Sequence, residues 1–152
     1  MRPQAVVERA FVDTNILVYV FDPDATAKQT CARNLVIDHL GSSALALSTQ
    51  VLLEFYWMVT REPEVPLPHP VAAGFARQLL AAHVVTPSAD LVAAAMERSG
   101  ASTLSIWDAL ILEAAESCGA SVLCTEDKHL LSVRAGIEIV DPFVGLDATA
   151  AD

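Results

Sequence analysis

The chain has 152 residues, of which 53% are hydrophobic and 18% charged, and this favours one domain with a well-buried core. Its formal net charge of −10 argues, taken alone, against nucleic-acid binding, which normally needs a basic face. The longest uncharged run, residues 39–53, is shorter than the roughly 20 mainly apolar residues of a membrane-spanning helix. The composition therefore excludes a membrane span, and nucleic-acid binding would have to be supported by particular residues of the chain.

The N-terminus and the cysteines bear on the cellular compartment. The first ten residues include three charged side chains and lack the apolar core of a secretory signal peptide. The three cysteines, Cys31, Cys118 and Cys124, are odd in number and form no CxxC pair. We therefore expect a cytoplasmic protein with free, mostly buried thiols.

Short apolar runs alternate along the chain with longer helical patterns. The runs predict β-strands at Ala10–Val12, Ala44–Leu47, Val84–Val85, Ser121–Cys124 and Ile137–Val140. The longer patterns predict helices at Asn15–Val20, Ala25–Leu40, Thr49–Arg61, His69–Ala82, Ser88–Ser99 and Ser105–Cys118. The alternation favours an α/β fold, a three-layer α/β/α sandwich around a short, mostly parallel sheet. We expect one domain over residues 1–144, a Pro-rich connector at residues 62–70 and a frayed tail at 145–152.

Two acidic residues lie just past the ends of predicted strands. Asp13 follows Ala10–Val12 and opens a helix, so capping that helix could be its whole role. Asp127 follows Ser121–Cys124, where a simple turn residue is the alternative, and Glu126 competes with it for any special role. In parallel α/β folds ligands bind at the carboxyl ends of strands, so both positions are candidates for a site.

Two further acids lie on apolar helical faces. Glu54 shares a face with Val51 and Trp57, where an ionised carboxylate is costly unless it is paired, binds a metal or reaches solvent at an edge. Asp108 precedes an apolar face and stands three residues after Ser105, which also fits a capping box. Capping and metal binding are compatible at a helix N-terminus.

If the strands are parallel, the four acids can converge on one cleft. When four carboxylates lie so near one another, they cannot all stay ionised without a cation. Oxygen ligands without a Cys or His cluster favour Mg²⁺ or Mn²⁺ over zinc. Such a site suits phosphodiester hydrolysis, and the sequence contains neither a Walker A loop nor a G-x-S-x-G elbow.

These residues resemble the four motifs of PIN domains. Phe11–Leu17 is similar to the opening motif, and Glu54–Phe55, with Ser48 upstream, is similar to the second. Ser105–Ile111 resembles the third motif and Thr125–Asp127 the fourth. Order and spacing agree over residues 10–140, and chain length and motif style resemble the VapC-type toxins of bacterial toxin–antitoxin pairs.

The resemblance implies a PIN-like fold and an endoribonuclease that depends on Mg²⁺ or Mn²⁺. It further implies a homodimer that is silenced by a cognate antitoxin, whose C-terminal segment covers the active site. By position, the metal-binding roles fall to Asp13, Glu54, Asp108 and Asp127. Glu126 could share or replace the role of Asp127. In the supporting set, Thr14 and Asn15 would shape the first loop, Ser48 belongs to the second motif, and Thr125 would hydrogen-bond near the metal or the phosphate.

The net charge can be reconciled with an RNA substrate. Bound metal would neutralise part of the acidic cluster, and screening confines surface fields to about 8 Å at physiological salt. The basic residues that would line a groove are Lys28, Arg33, Arg61, Lys128 and Arg134. We therefore expect modest, salt-sensitive RNA affinity.

Three alternatives to the nuclease interpretation stay open. Asp13 could be the nucleophile of a HAD-like phosphatase, although Asn15 stands where that family needs a second Asp. A receiver-type phospho-acceptor would need adjacent acids after the first strand, where the chain has one. A non-catalytic, acidic PIN-like binding domain is the third, and the presence of all four acids argues against it.

Overall fold

The computed structural model describes residues 8–146 of the chain. Its five strands are β1 (Ala10–Val12), β2 (Leu45–Ser48), β3 (His83–Val85), β4 (Val122–Cys124) and β5 (Glu138–Val140). Its helices are α1 (Thr14–Tyr19), α2 (Thr26–Gly41), α3 (Thr49–Thr60), α4 (His69–Leu79), α5 (Ala89–Gly100), α6 (Ile106–Ser117) and α7 (Lys128–Leu131). The predicted strands and six predicted helices are confirmed, with ends that differ by up to three residues.

The sheet has the strand order β3-β2-β1-β4-β5, and every neighbouring pair is parallel. The chain adds β2 and β3 on one side of β1 and then crosses over to add β4 and β5 on the other. The carboxyl ends of β1 and β4 therefore flank the point where the strand order reverses. Crevices that bind ligands in open parallel sheets form at such a switch point.

The core lies between the sheet and its helices. All three residues of β1 are buried, as the continuous apolar run predicts for a central strand covered on both faces. Helix α1 packs against α2 and α3, whereas α5 packs against α6, and α6 contacts β2 and β4. Phe55 of α3 and Leu112 of α6 are fully buried. This is the expected α/β sandwich, and it brings the N-terminal ends of several helices to the carboxyl edge of the sheet.

One element was not predicted. Helix α7 has four residues, too few for an apolar periodicity, and it begins where the Asp127 side chain accepts hydrogen bonds from the backbone N–H groups of His129 and Leu130. Of the predicted tail, residues 147–152 lie outside the described part, and Leu146 packs partly against the core. Within residues 8–146, no helix has the length and apolar character needed to cross a membrane.

Candidate active site

Asp13 lies at the carboxyl end of the central strand and caps helix α1. Its Oδ1 atom accepts a hydrogen bond from the Thr14 backbone N–H at 2.7 Å. Its Oδ2 atom accepts from Thr125 Oγ1 at 2.8 Å and from Asn15 Nδ2 at 3.2 Å. Thr125, which follows β4, is fully buried. The N-cap alternative thus describes part of the role of Asp13, and the residue also joins the ends of β1 and β4.

Asp13 is 7% exposed, and the environment of its carboxyl works against ionisation. Burial is the largest cause that raises its pKa from 3.8 to about 6. Hydrogen bonds from Thr125 and Thr14 oppose the rise, and the negative charges of Glu54 and Asp108 add to it. A nearby cation would offset both the burial and the repulsion, so the carboxylate is placed where positive charge is favourable.

Glu54 reaches the same edge of the sheet from helix α3. This helix begins after Ser48, whose Oγ atom accepts a hydrogen bond from the Val51 backbone N–H at 3.3 Å. Ser48 is therefore a buried helix cap. The Glu54 carboxylate accepts from Thr14 Oγ1 at 2.8 Å on one oxygen and from Gln50 Nε2 at 2.8 Å on the other. Both oxygens are held, which fixes the direction of a half-buried carboxylate.

Asp108 and Asp127 complete the acidic set. Asp108 is half-buried in the first turn of α6, which is capped by Ser105 through a hydrogen bond of 3.1 Å from the Asp108 backbone N–H. Partial burial is the largest cause that raises the pKa of Asp108, followed by the charge of Asp127; Glu54 also raises it, whereas Ser105 and His129 lower it. The Asp108 carboxyl therefore lies within electrostatic reach of both Glu54 and Asp127.

The four acids are coupled through their charges: Asp13 with Glu54 and Asp108, and Asp108 with Glu54 and Asp127. Within residues 8–146, no three His, Cys, Asp or Glu side chains are arranged as a group that could hold a metal ion. Mg²⁺ usually retains several waters and uses one or two carboxylates, so a closed protein cage is not required. The donor set consists of carboxylate oxygens without a Cys or His cluster, and it fits a hydrated Mg²⁺ or Mn²⁺.

Glu126 lies apart from these acids. Its carboxylate accepts a hydrogen bond from the Tyr19 hydroxyl at 2.6 Å and forms an ion pair with Lys28 at 3.0 Å. The Lys28 ammonium is 5.0 Å from the centre of the Tyr19 ring and 5.5 Å from that of Phe143. The structure thus brings Asp127, and not Glu126, toward Asp108.

Sequence reasoning missed three residues that hold the acids. Gln50 stands four residues before Glu54, and this helical spacing could have identified it. Tyr19 and Lys28 are separated from Glu126 by 107 and 98 residues, and no local signal indicates their contacts with it. Lys28 was expected to line an RNA groove, and it is instead paired with Glu126.

The class of this protein is defined by its fold and its site. The fold is a parallel α/β sandwich, and carboxylates lie near the point where the strand order reverses. The chain belongs to the PIN domain family, since the family model matches residues 10–136. PIN domains are generally nucleases. Among curated protein sequences, none matches the chain significantly.

Several solved structures share the fold. A toxin–antitoxin complex from Klebsiella pneumoniae is 18% identical with a TM-score of 0.65, and the match covers 88% of this chain and 97% of that one. VapBC2 from Rickettsia felis, bound to a DNA fragment from its promoter, is 18% identical with a TM-score of 0.60 and coverages of 86% and 96%. Mycobacterium tuberculosis VapC20, a toxin that cleaves the sarcin–ricin loop, is 19% identical with a TM-score of 0.55 and coverages of 75% and 86%. At these identities the likeness is one of fold.

Proposed function

We propose that this protein is a divalent-metal-dependent endoribonuclease that acts in the cytoplasm as the toxin of a VapBC-type toxin–antitoxin pair. The observation that carries the proposal is the set of four carboxylates at the switch point, where Asp13 is buried and its pKa is raised to about 6. Keeping such a carboxylate ionised at neutral pH costs stability, and a cation would offset that cost.

The residues have separable roles in this proposal. Asp13, Glu54, Asp108 and Asp127 would hold Mg²⁺ or Mn²⁺, directly or through water. When bound, the cation supplies positive charge that lowers the pKa of a water and stabilises charge on the phosphodiester. Thr14 and Thr125 orient the Glu54 and Asp13 carboxylates through their hydroxyl groups. Asn15 bridges Asp13 and Thr125, which keeps the β1 and β4 ends together.

The substrate proposed is RNA. Lys128 is exposed and directly follows Asp127, and His129 lies within electrostatic reach of Asp108, so both stand where a phosphate would approach. Two other basic residues are already engaged within the protein: Arg33 donates a hydrogen bond to the Val20 carbonyl, and Lys28 is paired with Glu126. Few cationic side chains are therefore left to bind the RNA phosphates. RNA affinity should therefore be modest and fall steeply with salt.

An acidic groove supports the proposed antitoxin partner. The groove has a volume of about 260 Å³ and lies between the end of α1 and the segment that follows α3. Its lining includes four acidic residues, Asp22, Asp24, Glu62 and Glu64, and apolar residues such as Phe21, Val59 and Leu67. A segment with apolar anchors and Arg side chains has the complementary chemistry.

A homodimer is the second proposed assembly. Leu53 and Trp57 lie one turn apart on α3 and are 70% and 59% exposed, and Trp107 at the start of α6 is 63% exposed. Gln50 of α3 hydrogen-bonds to the Trp107 carbonyl, which connects the two helices at this face. Large exposed apolar side chains are typical of surfaces that another protein covers, and a second copy of the chain is the occupant proposed.

The decisive experiment measures RNA cleavage by the purified protein. We expect cleavage with Mn²⁺, none with EDTA, recovery when Mn²⁺ is added back, and a kcat/KM for Asp108→Asn that is at least about 100-fold lower. Asp90→Asn is the matched control, because Asp90 also lies in the first turn of a helix and is exposed. Cleavage that persists in EDTA, or an Asp108→Asn protein as active as Asp90→Asn, would contradict the proposal.

A further inference from the structure

Gln50 connects the two helices that carry Glu54 and Asp108. Its Nε2 group donates a hydrogen bond to Glu54 Oε1 at 2.8 Å, one turn further along α3. The same group donates to the Trp107 carbonyl at 3.2 Å, in the first turn of α6. A single side-chain amide thus links the Glu54 carboxylate to the backbone immediately before Asp108.

The other end of this amide is enclosed without a partner. Gln50 Oε1 is the one buried side-chain nitrogen or oxygen within residues 8–146 that has no hydrogen-bond partner. Turning the amide over would direct its oxygen at the Glu54 carboxylate and the Trp107 carbonyl, both of which are acceptors. The amide therefore stays in the orientation that serves Glu54, and the enclosed acceptor lowers the stability of the fold.

The two hydrogen bonds on Glu54 act on different oxygens. Thr14 Oγ1 donates to Oε2 and Gln50 Nε2 donates to Oε1, so the carboxylate cannot rotate without breaking one of them. With the Gln50 bond removed, Glu54 would be held through one oxygen, and α6 would lose a side-chain link to α3. The cost of the enclosed oxygen and this control of Glu54 indicate that Gln50 serves the site more than the fold.

We propose that Gln50 is a positioning residue of the nuclease site, which directs the Glu54 carboxylate and sets its place relative to Asp108. The proposal rests on the function proposed above. Gln50 acts through Glu54 and the start of α6. Residues that orient metal ligands typically contribute about 10- to 100-fold to metal affinity or activity when they are replaced.

Gln50→Met tests the proposal, because methionine keeps the length of the side chain and removes both hydrogen bonds. Gln78→Met is the matched control, since Gln78 is exposed on helix α4 and its side chain forms no hydrogen bond with any of residues 8–146. We expect Gln50→Met to have a Tm in EDTA equal to or above that of the wild type, since the enclosed oxygen is removed with the amide. We also expect its Kd for Mn²⁺, measured by titration calorimetry, to rise about tenfold, and its kcat for RNA cleavage to fall about tenfold with KM within about twofold.

The outcomes separate this proposal from the proposed function. The role of Gln50 would be overturned, and the nuclease left intact, by the following result. The wild type cleaves RNA, and Gln50→Met binds Mn²⁺ and cleaves RNA as well as Gln78→Met does. A lower Tm that accompanies the loss of Mn²⁺ binding would assign Gln50 to the fold and also overturn it. A wild-type protein that cleaves no RNA would refute the nuclease, whereas the comparison of Tm and Mn²⁺ affinity would still test the effect of Gln50 on Glu54.

Discussion

The buried Asp13 carboxyl predicts that one substitution at the site stabilises the metal-free protein. Because the folded-state pKa is about 6 and the ordinary value is 3.8, the folded chain binds this proton more tightly than the unfolded chain. The contribution of Asp13 to stability is therefore fully present below pH 3.8 and is lost as the pH rises through about 6. At neutral pH the wild type carries this penalty, and Asp13→Asn removes the charge that causes it.

The size of the gain follows from the pKa. A rise from 3.8 to about 6 corresponds to roughly 3 kcal/mol, since one pKa unit is worth about 1.4 kcal/mol. The asparagine variant recovers only part of this free energy. Its Nδ2 group would face Thr125 Oγ1 and Asn15 Nδ2, which donate hydrogen bonds to the present Oδ2, and an amide N–H cannot accept them. We expect a net increase of about 1–2 kcal/mol in the free energy of unfolding at pH 7.5, or a few degrees in Tm.

Urea unfolding in EDTA from pH 4 to pH 7.5 measures the effect. The stability of Asp13→Asn relative to the wild type should fall by about 2 kcal/mol toward pH 4, where Asp13 in the folded wild type is protonated, so that the advantage of the variant disappears or reverses. Mn²⁺ should raise the Tm of the wild type and leave that of Asp13→Asn unchanged. The exposed Asp90→Asn variant should stay within about 0.5 kcal/mol of the wild type throughout.

Two results would refute this reasoning about Asp13. One is an Asp13→Asn protein that is less stable than the wild type at pH 7.5 in EDTA, since the hydrogen bonds to the carboxylate would then outweigh its burial. The other is a stability difference that does not change between pH 4 and pH 7.5, since a titrating carboxyl must produce such a change.

Two further predictions concern residues around the acids. Ser105→Ala removes the cap of α6 and should lower the free energy of unfolding by about 1 kcal/mol, as should Ser88→Ala at α5. RNA cleavage should fall only in Ser105→Ala, because its cap bond is to the backbone of Asp108, and equal cleavage by the two variants would contradict this. Thr125→Val removes a hydrogen bond that lowers the pKa of Asp13, so that pKa should rise further. Its Mn²⁺ affinity, measured by calorimetry, should fall more at pH 6.5 than at pH 8.5, and a pH dependence identical to that of the wild type would exclude this role for Thr125.

The sequence by itself determined the elements and the order in which they occur. Apolar runs such as Ala10–Val12 and helix caps such as Ser105 are local signals, because they depend on neighbours within one or two turns. The position of Asp13 directly after a strand was readable for the same reason, and so was that of Asp127, three residues beyond the end of β4. Helix α7 escaped prediction because its four residues depend on a side-chain cap and carry no periodic pattern.

Only the tertiary structure decided how the acids are arranged. The strand order places β4 beside β1, so that Thr125 reaches Asp13 across 112 residues of sequence. The tertiary structure also gives different surroundings to Asp127 and Glu126, although the two residues are adjacent in the chain. Lys28 from α2 and the Tyr19 hydroxyl from α1 both bind Glu126. Contacts of this kind depend on which elements pack together, a property of the whole chain that no local pattern encodes.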